Sequence, residues 1–152
     1  IGYEFVMDCA RLAKESGLKN VVVTNGYINP KSLQELLPYI DALNIDLKGF
    51  TADFYRQLGG DLEAVKKSIA LAAAAAHTEV TTLIIPGKND DAKTMAAQAQ
   101  WLAQGDCEIP LHITRFFPAY QMSYEKPTPV ATLHNLAEIA GRYLKYVYVG
   151  NV

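Results

Sequence analysis

Residues 43–50 read Leu-Asn-Ile-Asp-Leu-Lys-Gly-Phe, and their alternation decides the fold. Successive side chains of a strand point to opposite faces. Leu43, Ile45 and Leu47 therefore share one face, and Asn44, Asp46 and Lys48 share the other. Central strands of a doubly wound sheet are covered on both sides and read as continuous apolar runs. A strand with one apolar and one charged face fits a barrel better. Its apolar face meets the surrounding helices and its polar face lines the interior. His112 and Thr114 alternate with Ile113 in a similar mixed way.

The flanking sequence supplies the rest of the alternation. Phe5, Val6, Cys9, Leu12 and Ala13 recur at helical spacing over Tyr3–Ser16, and Gly17 is a natural stop. Asn20–Gly26 reads as a buried strand entering a turn. Asn29-Pro30 opens a helix with Leu33, Leu36, Leu37 and Ile40 inward, which Pro38 ends early. Thr51 caps a short helix broken by Gly59-Gly60, and Asp61 caps an alanine-rich one reaching about Ala76. Strands are expected at Glu79–Ile85, Leu111–Phe117 and Tyr146–Val149. Helices are expected between them, one capped by Asn89 or Asp90 and ended by Gly105, the other opened by Thr128-Pro129. Strands alternating with helices over short connections imply a parallel sheet. The expected class is α/β, as one domain over residues 1–152. Its architecture is a partial (β/α) TIM-like barrel, truncated on the N-terminal side. A helical pattern already running at Tyr3, and an end two residues after Gly150, make an excised piece the expectation.

Composition narrows the function. The 152 residues are 50% hydrophobic and 20% charged, with a net charge of −2. That is globular composition without the basic excess of a nucleic-acid binder. No apolar run approaches the roughly 20 residues of a membrane span. Cys9 and Cys107 lack metal-type spacing and no secretory leader is visible, so free thiols and a cytoplasmic location are expected.

The candidate site gathers at strand carboxyl ends, where barrel and open α/β folds place ligands. Asp46 and Lys48 share a face two residues apart. Buried charges are costly unless paired or used, so this pair is either a structural plug or a ligand site. Thr24-Asn25-Gly26 offers a hydroxyl and an amide at a turn. His112 on the inward face is a ligand, a proton carrier or a hydrogen-bonded core residue. Phe116, Phe117 and Tyr120 either wall a pocket or belong to the core. Taken alone, Lys48 beside an acid also suits an aldolase-like barrel with a Schiff-base lysine. A non-catalytic partner-binding module is the third alternative.

The ordered set TNGYINP, NIDLKGFTADFYRQLGG, TTLIIPGKNDD, HITRFFPAYQM and KYVYVGN resembles radical S-adenosylmethionine (SAM) enzymes. The branch it is most similar to contains the AmmeMemoRadiSam-system enzyme and pyruvate formate-lyase activating enzyme. The resemblance spans nearly the whole chain. It implies a partial barrel holding a [4Fe-4S] cluster on a CxxxCxxC loop, and SAM chelated to that cluster. Its chemistry is hydrogen abstraction by a 5′-deoxyadenosyl radical. By resemblance, Thr24, Asn25, Asp46, Lys48, His112 and Tyr120 are cofactor-side residues, with a small-molecule cofactor as the partner. Catalytic residues stay unassigned. No CxxxCxxC occurs here and Phe117 stands where the branch carries a histidine. The cluster, which needs three thiolates, is therefore expected only in a longer parent protein. This chain alone is expected to be inactive and to hold no metal. A half-barrel would leave Val21–Val23 as an unguarded edge, so self-association is expected, without nucleic acid or membrane as partner.

Overall fold

The computed structural model describes residues 2–152. Five strands form a single sheet: β1 (Val21–Thr24), β2 (Ala42–Asp46), β3 (His77–Ile84), β4 (Leu111–Arg115) and β5 (Val147–Gly150). Their spatial order is β1-β2-β3-β4-β5 and every neighbouring pair is parallel. Sequential order is the decisive observation. Right-handed crossovers between successive neighbours carry every helix to the same face, whereas a doubly wound sheet reverses direction at a switch point. The sheet is thus a segment of barrel wall.

The connecting helices are α1 (Tyr3–Glu15), α2 (Pro30–Leu36), α3 (Ala52–Gln57), α4 (Leu62–Ala73), α5 (Ala92–Gly105) and α6 (Val130–Ala140). Side-chain caps set four of their starts. Asn29, Thr51, Asp61 and Asp91 accept hydrogen bonds from the amides of Lys31, Phe54, Ala64 and Thr94 respectively. Each satisfies an amide that has no partner within its helix. Pro38 ends α2 in a 3₁₀ turn over Leu37–Tyr39. Gly17 stops α1 with φ +75°.

The core lies between sheet and helices. Leu43, Ile45, Leu47, Val80, Ile84, Leu111 and Ile113 are each at most 2% exposed. They pack with Leu33, Leu36, Val65, Ile69, Met95, Leu102, Leu133 and Leu136 from the helices. The apolar set of β2 therefore faces the helices, and Asn44 and Asp46 face the opposite way, as the alternation implies.

Several sequence expectations are corrected. The buried face of α1 is only in part the expected stripe of Phe5, Val6, Cys9, Leu12 and Ala13, of which Val6 packs on the core. Ala10 is buried, Tyr3, Val6 and Met7 pack on the core, and Phe5 and Leu12 are exposed. Polar anchors fix that rotation: the Tyr3 hydroxyl donates to the Ser32 carbonyl, Lys14 Nζ to the Pro38 carbonyl and Asn20 Nδ2 to the Ala10 carbonyl. Asp91, not Asn89 or Asp90, caps α5. Helix α4 ends at Ala73, short of Ala76. Phe116, at 7% exposure, belongs to the core, while Phe117 and Tyr120 stand out at 52% and 87%, so the three form no common wall.

Among the described residues, strand β1 pairs on one side only. Val21 and Val23 are 66% and 75% exposed on it, with no Lys or Pro to discourage pairing. We expect the 152-residue chain to self-associate through this edge. Sedimentation velocity across a concentration series should show association that Val23→Lys abolishes. A strict monomer at high micromolar concentration would refute it.

Candidate functional site

Two strand ends and the turns that follow them build the site. At the end of β1 the Thr24 hydroxyl oxygen accepts from the Gly26 amide at 3.2 Å, and Asn25 Oδ1 accepts from the Tyr27 amide at 3.0 Å. The two side chains thereby lock the turn that carries them. Gly26 adopts φ +70°, and a Cβ there would meet Ile45 Cγ2 at 2.8 Å. Only glycine satisfies both the left-handed backbone and the close packing on β2.

Beyond β2, Lys48 Nζ lies 2.6 Å from Asp46 Oδ2, with the side chains 40% and 32% exposed. The pair is half-buried and open to a ligand. Its backbone is held from two sides. The Lys48 amide donates to the Tyr55 hydroxyl oxygen at 3.1 Å. The Lys48 carbonyl accepts from Asn89 Nδ2 at 2.8 Å, which also donates to the Leu83 carbonyl. Burial pushes the Tyr55 hydroxyl up to about 12, so it stays neutral across the ordinary pH range. Asn25, Tyr27, Lys48, Tyr55 and the Gly59-Gly60 bend line a cleft of about 280 Å³.

The remaining candidates are arranged differently. Asp46, Thr81, His112 and Tyr148 follow one another across β2 to β5 at matched register. His112 therefore stands level with Asp46 but two strands away, roughly 10 Å at ordinary strand spacing. Its Nε2 is 2.7 Å from Glu79 Oε2 and its ring stacks on Tyr148. Glu79 Oε1 lies 3.0 Å from His77 Nε2. The bond from His77, and after it that from His112, hold the Glu79 carboxyl below the usual range against its partial burial. Tyr120 is not brought to the others. It projects into solvent with φ +48°, a conformation unusual for a residue with a side chain.

Sequence reasoning passed over Glu79, Tyr55, Asn89 and Thr128. Glu79 carried a signal, because it shares strand parity with Thr81 on the polar face. Asn89 and Thr128 act through contacts 41 and 44 positions away, and Tyr55 through the Lys48 amide seven positions before it. Two larger cavities of about 440 Å³ lie away from the strand carboxyl ends. One sits by Glu79, Glu108 and Tyr146, and the other lies between α4 and α5.

Comparisons with known proteins bear on the family and the fold. The sequence pattern of the radical SAM superfamily matches residues 1–99, which carry β1 to β3 and the Thr24, Asp46 and Lys48 positions. The chain belongs to the radical SAM superfamily. A protein of Methanocaldococcus jannaschii, MJ0808, is 42% identical over 99% of the chain. The chain spans only 45% of that relative's length. Among solved structures, a domain of pyruvate-formate lyase-activating enzyme from Bacteroides vulgatus has a TM-score of 0.81 at 20% identity. The match covers 98% of this chain and 91% of that one. The fold thus recurs in a solved chain of nearly the same extent. TYW1 with a lysine-pyruvate adduct bound gives a TM-score of 0.66 at 18% identity, over 91% of this chain and 45% of its own.

Radical SAM membership allows each implied cofactor to be tested against the residues present. Cys9 and Cys107 are both exposed, and no group of three metal-ligating side chains converges among the described residues. These residues do not fit a [4Fe-4S] cluster, which takes thiolate ligands. The turn at Thr24-Asn25 and the Asp46–Lys48 pair do fit a small zwitterion. Lys48 and Asn25 line the open cleft, and the Asp46 carboxylate stands behind it as the partner of Lys48.

Proposed function

We propose that this chain is the C-terminal portion of a radical SAM enzyme resembling glycyl-radical activating enzymes. In this reading it forms one side of the SAM and substrate site. When bound, SAM supplies the 5′-deoxyadenosyl radical that abstracts a substrate hydrogen. Thr24, Asn25, Asp46 and Lys48 would hold the cofactor, with His112 farther along the same face; Tyr120, which projects into solvent, would reach the cofactor only by moving. The observation that carries the reading is the half-buried Asp46–Lys48 pair at the carboxyl end of β2. Its backbone is tied down by Tyr55 and Asn89. Such tethering is more than a surface ion pair requires, since exposed pairs contribute little by themselves. It keeps the two charges in place for a third partner.

The division of labour is testable. The cysteines of this chain cannot supply a cluster. Iron–sulfide reconstitution followed by dithionite should yield no 5′-deoxyadenosine from the 152-residue chain. A longer protein carrying a CxxxCxxC segment should yield it. Turnover by the short chain alone would sink the proposal.

A further inference from the structure

Three lysine and arginine residues among the described residues are not exposed: Lys48, Lys66 and Arg115. Lys48 is paired with Asp46 and Lys66 with Glu63. Arg115 has no carboxylate partner among the described residues. A half-buried cation without a counter-ion is unfavourable unless its surroundings or a ligand compensate.

The surroundings of Arg115 hold it without neutralising it. Its Nε donates to the Thr128 carbonyl at 2.8 Å, and the guanidinium carbon stands 4.9 Å from the centre of the Phe117 ring. Thr128 is itself fixed and fully buried. Its hydroxyl donates to the Ile84 carbonyl, its amide donates to the Phe116 carbonyl, and its Oγ1 accepts from the Phe116 amide. The segment 117–127 is thereby closed into a loop with clamped ends. One N–H of the guanidinium is engaged and one ring face is covered. The two terminal nitrogens are left to form the fork that recognises a planar or tetrahedral oxyanion.

Arg115 has the strand parity of Ile113 and pairs level with Ile84, so it stands behind the strand end and apart from the Asp46–Lys48 cleft. From this placement at the carboxyl end of β4, we infer that Arg115 receives an anionic group, a carboxylate or a phosphate, of a molecule bound beside the 117–127 loop. The inference goes beyond the function proposed above by adding a second, anion-receiving position at the end of β4. Thr128 and Phe117 act as positioning residues for the guanidinium.

The probes are inorganic pyrophosphate and succinate, titrated into the ¹⁵N-labelled 152-residue chain at constant ionic strength. Nuclear magnetic resonance should show saturable shifts of Arg115 Nε–H and of the Phe117 and Thr128 amides. A response to pyrophosphate alone assigns a phosphate, and a response to succinate alone assigns a carboxylate. Arg115→Lys keeps the charge but loses the fork, and should weaken binding by about tenfold or more. Phe117→Leu lies on an exposed residue, so the fold is spared, and should weaken it by a smaller factor. Lys93→Ala, on an exposed position of α5, should leave this titration unchanged, and the readout at Arg115, Phe117 and Thr128 does not depend on where SAM binds. No saturable shift with either anion would overturn the inference. So would shifts that spread equally over exposed lysines and survive Arg115→Lys.

Discussion

Replacing Asn89 by alanine should destabilise the chain by about 3 kcal/mol and lower its melting temperature by on the order of 10 °C. The side chain is 4% exposed and makes three hydrogen bonds. Its Oδ1 accepts from the Ile85 amide at 2.7 Å. Its Nδ2 donates to the carbonyls of Lys48 and Leu83, each at 2.8 Å. Alanine leaves one amide and two carbonyls without those partners in a largely dry setting, and orphaned buried polar groups cost far more than a hydrogen bond contributes on average. Asn89→Asp should be nearly as harmful, because a carboxylate cannot donate to the two carbonyls. The loss should be felt locally as well. The Lys48 carbonyl is one of the bonded groups, so amide exchange through residues 47–49 should accelerate beyond the global effect. Thermal melts and hydrogen-exchange mass spectrometry check both parts. A variant as stable as the parent would show that water replaces the amide at no cost.

Much of this architecture was legible before any coordinates. The alternation at residues 43–48 separated the helix-facing side of β2 from its open side. Asn29, Thr51 and Asp61 announced their helices because capping is a local event. Asp91 was missed because three candidate caps stand together at 89–91 and local chemistry does not rank them. Asn89 proved to be a cross-strand tie. Its partner Lys48 lies 41 positions away, a separation that no local pattern reports.

The face of α1 shows a different limit. Phe5, Val6, Cys9, Leu12 and Ala13 fit a helical stripe, and so do Tyr3, Val6, Met7 and Ala10. Periodicity alone cannot choose between two stripes on one helix. The choice came from the Tyr3–Ser32 and Asn20–Ala10 hydrogen bonds. In the site, Asp46 and Lys48 were found from strand parity, and Glu79 was accessible by the same rule. Arg115 was not. Its significance lies in the missing carboxylate, which only the full arrangement reveals.

The other large effect is expected at Asp46 and Lys48 in a longer protein that contains this chain and a cluster-bearing segment. Either charge removed leaves the other half-buried without its partner at 2.6 Å. The ligand then meets a site with the wrong charge on one side. A hydrogen bond to a charged group contributes about 1.5–3 kcal/mol, so each alanine variant should bind SAM about tenfold to a hundredfold more weakly. Asp46→Asn and Lys48→Met test the charges with little change of volume and should fall in the same range. His134→Ala, on the exposed face of α6, serves as the control that leaves affinity unchanged. The direct measurement is equilibrium binding of SAM to the cluster-loaded parent, Asp46→Ala and Lys48→Ala proteins, with the iron content of each verified as equal. The account predicts at least a tenfold loss for both variants at unchanged iron content; affinities equal to the parent's in both would contradict it.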